Sequence, residues 1–240
     1  MLKSAETKSL RRSPRALALM QVRRGIRPRG REAFVESQKT GATVLDVGCG
    51  DDSPYLTKSQ RPDLYYVGID VSDHNQSAMS KAMADEYLIV RPNEFAATIA
   101  ALGSRFDAVI SQHNIEHCDD PPAVLGAMAS VVKPGGQLYI AWPAEASAHF
   151  PSRLGTLNFF DDPTHKMLPR FDDLMSVLVR SGLKPTFQAR AYRPMLPAAL
   201  GALLEPVSMW TGRVMPYRST WAWYGFESLI WLERERLTSG

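Results

Sequence analysis

The sequence lacks the features that define disulfide-rich and membrane-spanning proteins. Its only two cysteines, Cys49 and Cys118, lie in a glycine turn and after a histidine, so we expect neither a disulfide nor a cysteine zinc site. No apolar run reaches the ~20 residues that a spanning helix needs. The short apolar stretch at residues 16–20 is followed by Arg23 and Arg24, which is atypical of a signal peptide. We therefore expect a cytoplasmic protein, with peripheral contact to a membrane left open.

Acidic residues are nearly absent from the first 31 positions. This segment holds ten of the 28 basic residues but only Glu6 of the 25 acidic ones, which leaves 18 basic and 24 acidic residues for the rest of the chain. A basic arm suits an anionic neighbour such as phospholipid, nucleic acid or a phosphorylated substrate, and a solvated tail explains the composition equally well. We place the arm, with short helices at residues 13–25 and 32–37, at residues 1–38, and one globular domain at residues 39–240.

Apolar strands alternate with helical segments over the globular part. Predicted strands cover residues 43–47, 65–69, 87–90, 107–110, 137–142, 183–191 and 228–232, and predicted helices cover residues 93–102, 122–132 and 171–180. A Lys-Pro-Gly-Gly turn is expected at residues 133–136, and residues 192–225 are an apolar insert without an assigned structure. The alternation is typical of an α/β protein with a parallel sheet, in which ligands bind at the carboxyl ends of the strands.

A glycine turn follows the first predicted strand, in the run Val44-Leu45-Asp46-Val47-Gly48-Cys49-Gly50. Glycines after a buried strand allow a ligand to lie against bare backbone. The second strand ends at Asp70, 20 residues beyond Gly50. At that separation a carboxylate can accept both hydroxyls of a ribose, so the spacing indicates a ribose-bearing ligand.

A third glycine is absent from this turn, where Asp51, Asp52 and Ser53 follow Gly50. A dinucleotide site needs G-x-G-x-x-G, and acidic side chains would repel the pyrophosphate. Two acids suit a ligand that carries positive charge and no phosphate. S-adenosylmethionine, with its sulfonium and ammonium groups, meets this description and NAD does not.

Four motifs in order, VLDVGCG, VGID, FDAVIS and VVKPGGQLYIAWP, resemble those of class I S-adenosylmethionine-dependent methyltransferases. The resemblance covers residues 40–185, about 60% of the chain. It implies a Rossmann-like three-layer sandwich around a mostly parallel sheet of seven strands. The last strand would be antiparallel and inserted between the fifth and the sixth.

The resemblance also implies which residues bind the donor. The cofactor-binding residues would be Asp46, Gly48, Cys49, Gly50, Asp70, Val71 and Ser111. The glycine backbone would pass under the methionine part, and Asp46 would orient the amino group. Asp70 would bind the ribose diol and Val71 would flank the adenine. Glu94 is the one carboxylate offered for the adenine amine, and no metal ligand is assigned.

The segment after the fourth strand carries the first candidates for catalysis. His113 and His117 are four residues apart, so a helical turn would place them on one face, with Glu116 beside them to orient a histidine. A hydroxyl acceptor needs such a base because its proton must leave as the new bond forms. Simple packing beside the cofactor is the alternative interpretation of all three.

A long segment at residues 143–170 mixes aromatic with ionisable side chains, which favours a lid over the acceptor. His165 is a further candidate base within it. Asp161, Asp162 and His165 together could hold a divalent cation, although an Asp-Asp-Pro turn explains the two acids better.

The sequence thus predicts an S-adenosylmethionine-dependent methyltransferase acting on a hydroxyl of a small molecule or saccharide, with a cell-envelope glycan precursor as one such acceptor. The alternatives are an RNA methyltransferase that uses the basic arm and a non-catalytic binding protein of the same fold. Nucleic acid is the weaker partner because no RNA-binding module is recognisable. The apolar insert suggests core packing, a homodimer contact or a membrane-facing surface.

Overall fold

The computed structural model describes residues 29–236. The predicted helix at residues 13–25 and most of the predicted basic arm lie outside the described residues. The helices and strands below therefore refer to this part of the chain.

Seven strands and eight α-helices follow one another along the described residues. The strands are β1 (Thr43–Val47), β2 (Tyr65–Asp70), β3 (Glu86–Ile89), β4 (Phe106–Gln112), β5 (Val132–Pro143), β6 (Leu183–Ala189) and β7 (Glu227–Arg234). The helices are α1 (Arg31–Glu36), α2 (Ser53–Gln60), α3 (Ala78–Met83), α4 (Phe95–Ala101), α5 (Pro121–Val131), α6 (Phe171–Arg180), α7 (Met195–Thr211) and α8 (Ser219–Tyr224).

The strands form one sheet in the order β3-β2-β1-β4-β5-β7-β6. The pairs from β3 to β5 are parallel, and β7 is antiparallel to both β5 and β6. This confirms the predicted mixed sheet with an inserted last strand. The strand order reverses between β1 and β4, and the crevice at the carboxyl ends of these strands is where an open α/β sheet binds its ligand.

Two hydrophobic clusters cover the two faces of the sheet, because side chains alternate along each strand. Leu45 and Val109 belong to the cluster under α4, α5 and α6, and Val44 and Ile110 belong to the other. Phe34 of α1 completes the second cluster against aromatic rings of β5 and β7. The helix at residues 31–36 is thus part of the folded domain, although the sequence assigned it to an arm.

The expected turn at residues 133–136 lies within the span of β5, Val132–Pro143, at the point where its pairing with β4 skips from Val132 to Gln137. The pairing of β4 with β5 shifts register between Phe106 and Ala108, and Gly135 adopts a φ of 77° beside this shift. The bulge accommodates the two glycines within the strand, because a bulge residue needs a conformation that favours glycine.

The apolar insert contains α7 and α8, which the sequence left unassigned. The helix α7 buries small side chains and exposes large ones, with Leu196, Leu203 and Trp210 each more than three-quarters exposed. At Gly201, a Cβ atom would lie 2.1 Å from the carbonyl oxygen of Ser219, so only glycine allows α7 and α8 to pack this closely. Among the described helices, none combines the length and the apolar character needed to cross a membrane.

Candidate active site

The glycine turn lies between β1 and α2, at the point where the strand order reverses. Gly48 has a φ of 76°, and a Cβ atom there would lie 2.5 Å from the Cβ of Asn114, which follows β4. A Cβ on Gly50 would lie 3.7 Å from Oδ2 of Asp70. The turn therefore runs directly between the ends of β2 and β4, with bare backbone towards the crevice.

Asp70 ends β2 with its carboxylate beside the turn. Its Oδ1 accepts hydrogen bonds from the amides of Val71, at 2.6 Å, and Ser72, at 3.3 Å. Burial raises the pKa of Asp70 in spite of these amide donors. The amides fix the orientation of the carboxylate, and Oδ2 lies on the side of Gly50. Val71 is 42% exposed at the same strand end.

The two acids that follow the turn are held by the protein. Asp51 and Asp52 adopt φ values of 54° and 53°, in the left-handed region. Asp51 accepts a hydrogen bond from the side-chain amide of Asn75 at 2.7 Å, and Asp52 accepts from the amide and hydroxyl of Ser77. These contacts fasten the loop after β2 to the glycine turn, so the two acids have a structural role in the protein.

Asp46 lies in a buried cluster that includes a cation absent from the sequence-based site. Its Oδ2 accepts hydrogen bonds from Arg31 at 2.8 Å, from Ser53 at 2.6 Å and from Tyr66 at 2.8 Å. Arg31 is 7% exposed, and its Nη2 also donates to Thr57. Asp46 thus ties α1 and α2 to β1 and positions the turn. The sequence analysis missed Arg31 because it belongs to a run of basic residues before residue 32. Its position close to the apolar Phe34 and Val35, which are buried, was the signal that this segment packs on the domain.

Two further predicted cofactor residues brace the site from behind. The thiol of Cys49 is buried against Gly68 and burial raises its pKa, while its carbonyl accepts a hydrogen bond from Gln76. The hydroxyl of Ser111 donates to the carbonyl of Val47 at 3.1 Å and joins the ends of β4 and β1. Glu94 lies on a short turn, with its side chain 55% exposed and 3.9 Å from Arg91.

His113 is clamped between two carboxylates. Its Nδ1 lies 3.2 Å from Oε1 of Glu116 and its Nε2 lies 2.8 Å from Oε1 of Glu227. Burial alone would lower the pKa of His113, but the two carboxylates raise it to about 9, and His113 in turn lowers the pKa of Glu227 to about 2. An imidazolium with both nitrogens donating has no lone pair. His113 is therefore a positioning residue, and the expectation that it acts as the base is not supported.

Glu116, His117 and His165 meet at the carboxyl end of β4. One ligand atom from each side chain lies within 4.8 Å of the others, a grouping that could hold a metal ion. Nδ1 of His117 lies 3.2 Å from the carbonyl oxygen of Thr164, and Nδ1 of His165 lies 2.6 Å from that of Phe159. Since a carbonyl accepts only from N–H, both Nδ1 atoms carry the proton and both Nε2 atoms keep a lone pair.

The predicted lid at residues 143–170 is ordered by Asp161. Its carboxylate accepts hydrogen bonds from the amides of Arg153, Leu157 and Asn158 and from the hydroxyl of Ser152. Asp161 is therefore used within the loop, as the turn interpretation expects. The Oδ2 atom of Asp162 lies 3.9 Å from Nε2 of His165, so this second acid borders the cluster.

Comparison with known proteins shows which protein family the chain matches. Residues 19–188 match the family described as a methyltransferase domain. Among solved structures, the chain resembles an S-adenosylmethionine-dependent methyltransferase from Archaeoglobus fulgidus with a TM-score of 0.51 and 18% identity, over 92% of this chain and 94% of that one. At this identity, the likeness concerns the fold.

Two curated relatives match less than half of the chain. A ubiquinone biosynthesis O-methyltransferase of Xanthomonas axonopodis pv. citri is 34% identical over 110 residues, which are 43% of this chain and 44% of that protein. A phosphoethanolamine N-methyltransferase of Arabidopsis thaliana is 32% identical over 124 residues, 49% of this chain and 25% of that protein. The chain thus spans less than half of the length of these relatives.

Proposed function

This chain belongs to the methyltransferase domain family, and from that premise we propose that it is an S-adenosylmethionine-dependent methyltransferase that methylates a hydroxyl oxygen of a small organic acceptor. One observation carries the proposal. The described chain places two histidine nitrogens with free lone pairs beside the buried carboxylate of Glu116, at the end of β4 and next to the glycine turn. A hydroxyl needs a proton acceptor at the reacting centre, whereas a neutral amine or a carboxylate needs much less help.

In this proposal, the donor lies across the carboxyl ends of β1 and β2. The backbone of the glycine turn at Gly48 and Gly50 would support the methionine part. Asp70 would accept hydrogen bonds from the ribose diol with the oxygen that faces Gly50. Asp46 would contribute indirectly, by positioning the glycine turn, because its carboxylate is already bound by Arg31.

The transfer itself is an in-line displacement that the protein assists mainly by alignment. The acceptor oxygen forms a bond to the methyl carbon while the carbon–sulfur bond breaks and leaves its electron pair on sulfur. The hydroxyl proton moves to Nε2 of His117, whose other nitrogen is held by Thr164. His165 lies with its ring centroid 4.9 Å from that of His117 and is the second acceptor of this proton.

The names of the first relatives support methyl transfer to oxygen and do not indicate a saccharide acceptor. The first curated relatives are named ubiquinone biosynthesis O-methyltransferases, and this name supports oxygen as the atom that is methylated. A saccharide is retained from the sequence-based prediction and has no support among these names.

A labelled-donor assay tests the proposal. The full chain is incubated with S-adenosylmethionine carrying a labelled methyl group and with panels of phenols, sugars, amines and RNA. We expect label in a hydroxyl panel, a loss of at least about tenfold in His117→Ala, and an unchanged rate in His149→Ala, an exposed histidine outside the cluster. Transfer to amines or RNA alone would refute the acceptor class, and binding of the donor without any transfer would favour a non-catalytic role.

A further inference from the structure

The Glu116–His117–His165 cluster contains one buried oxygen that the described protein leaves unused. Glu116 is fully buried, and its Oε1 faces His113 at 3.2 Å. Its Oε2 has no hydrogen-bond partner among residues 29–236. A buried carboxylate oxygen without a donor is costly, so its presence points to a positively charged or donating group that belongs in this place.

The two histidines of the cluster are oriented as metal ligands are. Ligating imidazoles usually donate their other N–H to a backbone carbonyl or a carboxylate, which fixes the tautomer and the ring. Phe159 supplies this carbonyl for His165 at 2.6 Å, and Thr164 supplies it for His117 at 3.2 Å. Both Nε2 atoms are therefore available, and the ring of His165 is also held by stacking on Phe159 with centroids 4.4 Å apart.

We propose that Glu116, His117 and His165 bind one divalent transition-metal ion through Oε2 and the two Nε2 atoms. One ligand atom from each of the three side chains lies within 4.8 Å of the others, and ligands that share an ion at about 2.1 Å lie about 3.5 Å apart, so the side chains would close in by about 1 Å. Two imidazoles and one carboxylate suit Zn²⁺, Co²⁺ or Fe²⁺, whereas Mg²⁺ prefers oxygen ligands.

The surrounding charges agree with a cation at this place. Asp162 lies 3.9 Å from Nε2 of His165 and adds a second carboxylate at the edge of the cluster. His113 and Glu227 form an ion pair of their own behind Glu116, so the charge of Glu116 is only partly compensated by the protein. Three protein ligands leave coordination positions open, which is the pattern of sites that bind a water or a substrate oxygen.

The role of the ion in methyl transfer rests on the proposed function, but its binding does not. An acceptor hydroxyl on the open position would lose its proton to solvent more readily, since a divalent ion lowers the pKa of a bound hydroxyl. The histidines would then act as ligands in the loaded protein and as direct proton acceptors only without the ion.

Calorimetry on the untagged full chain, first treated with a chelator, tests the site. Zn²⁺ and Co²⁺ should each bind with one ion per chain, and Mg²⁺ should not compete at millimolar concentration. Glu116→Gln, His117→Ala and His165→Ala should each weaken binding at least about tenfold, whereas His149→Ala should have no effect. Circular dichroism establishes that each variant is folded, and His117→Ala, the most exposed of the three, serves if the buried variants unfold.

The outcomes separate the site from the proposed function. Absence of stoichiometric Zn²⁺ binding, or binding that survives both Glu116→Gln and His117→Ala, overturns the metal site. If that happens while hydroxyl methylation proceeds in the chelator-treated protein, the proposed function stands without the ion. If the ion binds through these residues but only amines or RNA are methylated, the metal site stands and the proposed function fails.

Discussion

Asn114 occupies the space that a side chain on Gly48 would need. A Cβ atom on Gly48 would lie 2.5 Å from the Cβ of Asn114, although 66 positions separate the two residues in the sequence. Gly48 is therefore glycine for two reasons, its φ of 76° and this close approach of the loop after β4. The donor half of the site and the loop that carries Glu116 and His117 are in direct contact at this point.

Replacement of Gly48 by alanine should reduce both stability and donor affinity. The left-handed conformation costs about 1–2 kcal/mol in alanine, and overpacking against Asn114 adds about 1–3 kcal/mol. Gly41→Ala is a matched control, because Gly41 has a φ of 68° and an open space around it. Urea unfolding should show a larger loss for Gly48→Ala than for Gly41→Ala, and Asn114→Gly should recover part of the difference. Equal losses in the two alanine variants would mean that the contact with Asn114 carries no energy.

Asp70→Asn should weaken binding of S-adenosylhomocysteine by about tenfold or more, because an amide offers one acceptor atom where the carboxylate offers two. Affinity in the parent protein should also fall on acidification, since the pKa of Asp70 is raised and the carboxylate is protonated earlier than an ordinary aspartate. Calorimetry between pH 4.5 and pH 7.5 measures both effects. Asp63→Asn, at the opposite end of β2, is the control, and a similar loss there would show that the effect is not local.

Stability should depend on pH through His113. Its folded pKa of about 9 lies above the unfolded value of 6.5, so its contribution is complete below about pH 6.5 and is lost as the pH rises towards 9. The full difference is on the order of 3 kcal/mol. Glu227 acts in the opposite range, because its pKa of about 2 makes its contribution fall only as the pH drops below about 4.5.

Urea unfolding in the presence of a chelator measures this profile between pH 5 and pH 10. The groups that face the histidine are Glu116 and Glu227, and Arg218 lies 3.5 Å from Glu227. His113→Gln should flatten the alkaline slope. A slope that persists in this variant would assign the effect to another group.

Arg31→Met should destabilise the chain by about 3–5 kcal/mol, because it leaves Asp46 buried without its cation. Lys39→Met is the control, since Lys39 is an exposed partner of Asp107 and its removal should cost under about 1 kcal/mol. Denaturant midpoints compare the two. If Arg31→Met is as mild as the control, the ion pair with Asp46 contributes little and the position of α1 rests on Phe34 and Val35.

Removal of residues 1–28 should weaken binding to vesicles of anionic phospholipid, since this segment holds eight basic residues and one acid. Residues 29 and 31 must stay, because Arg29 and Arg31 contact the folded domain. Neutral vesicles are the control for charge, and Trp210→Ala tests the exposed face of α7. Co-sedimentation that is unchanged in both variants would argue against a membrane contact.

The sequence was sufficient for the sheet and for the places of the glycine turn and Asp70 at the ends of β1 and β2. The strand β1 lies at its predicted residues 43–47, because a run this short, bounded by turns and rich in β-branched side chains, favours a strand over a helix. The helix α7 was missed because its large apolar residues face outward and Pro206 interrupts its pattern. The short helices α2 and α3 carry too few apolar residues to produce a clear period.

Contacts between distant residues account for what the sequence could not predict. Spacing placed Gly48, Gly50 and Asp70 at strand ends, but the clamp on His113 comes from Glu227, which is 114 residues away. Without that partner, His113 and His117 are indistinguishable as candidate bases. Arg31 is a second example, because its role depends on a contact with Asp46 that no local sequence pattern indicates.

The position of β7 has a consequence for the order in which the chain can assemble. It is the last strand along the described residues, yet it lies between β5 and β6, and its first residue, Glu227, closes the clamp on His113. The strands from β1 to β5 can pair before β7 exists, whereas β6 has no neighbour until β7 arrives. During synthesis the sheet from β1 to β5 would therefore form first, and the loop with Glu116 and His117 would reach its final geometry only after residues 227–234 have emerged.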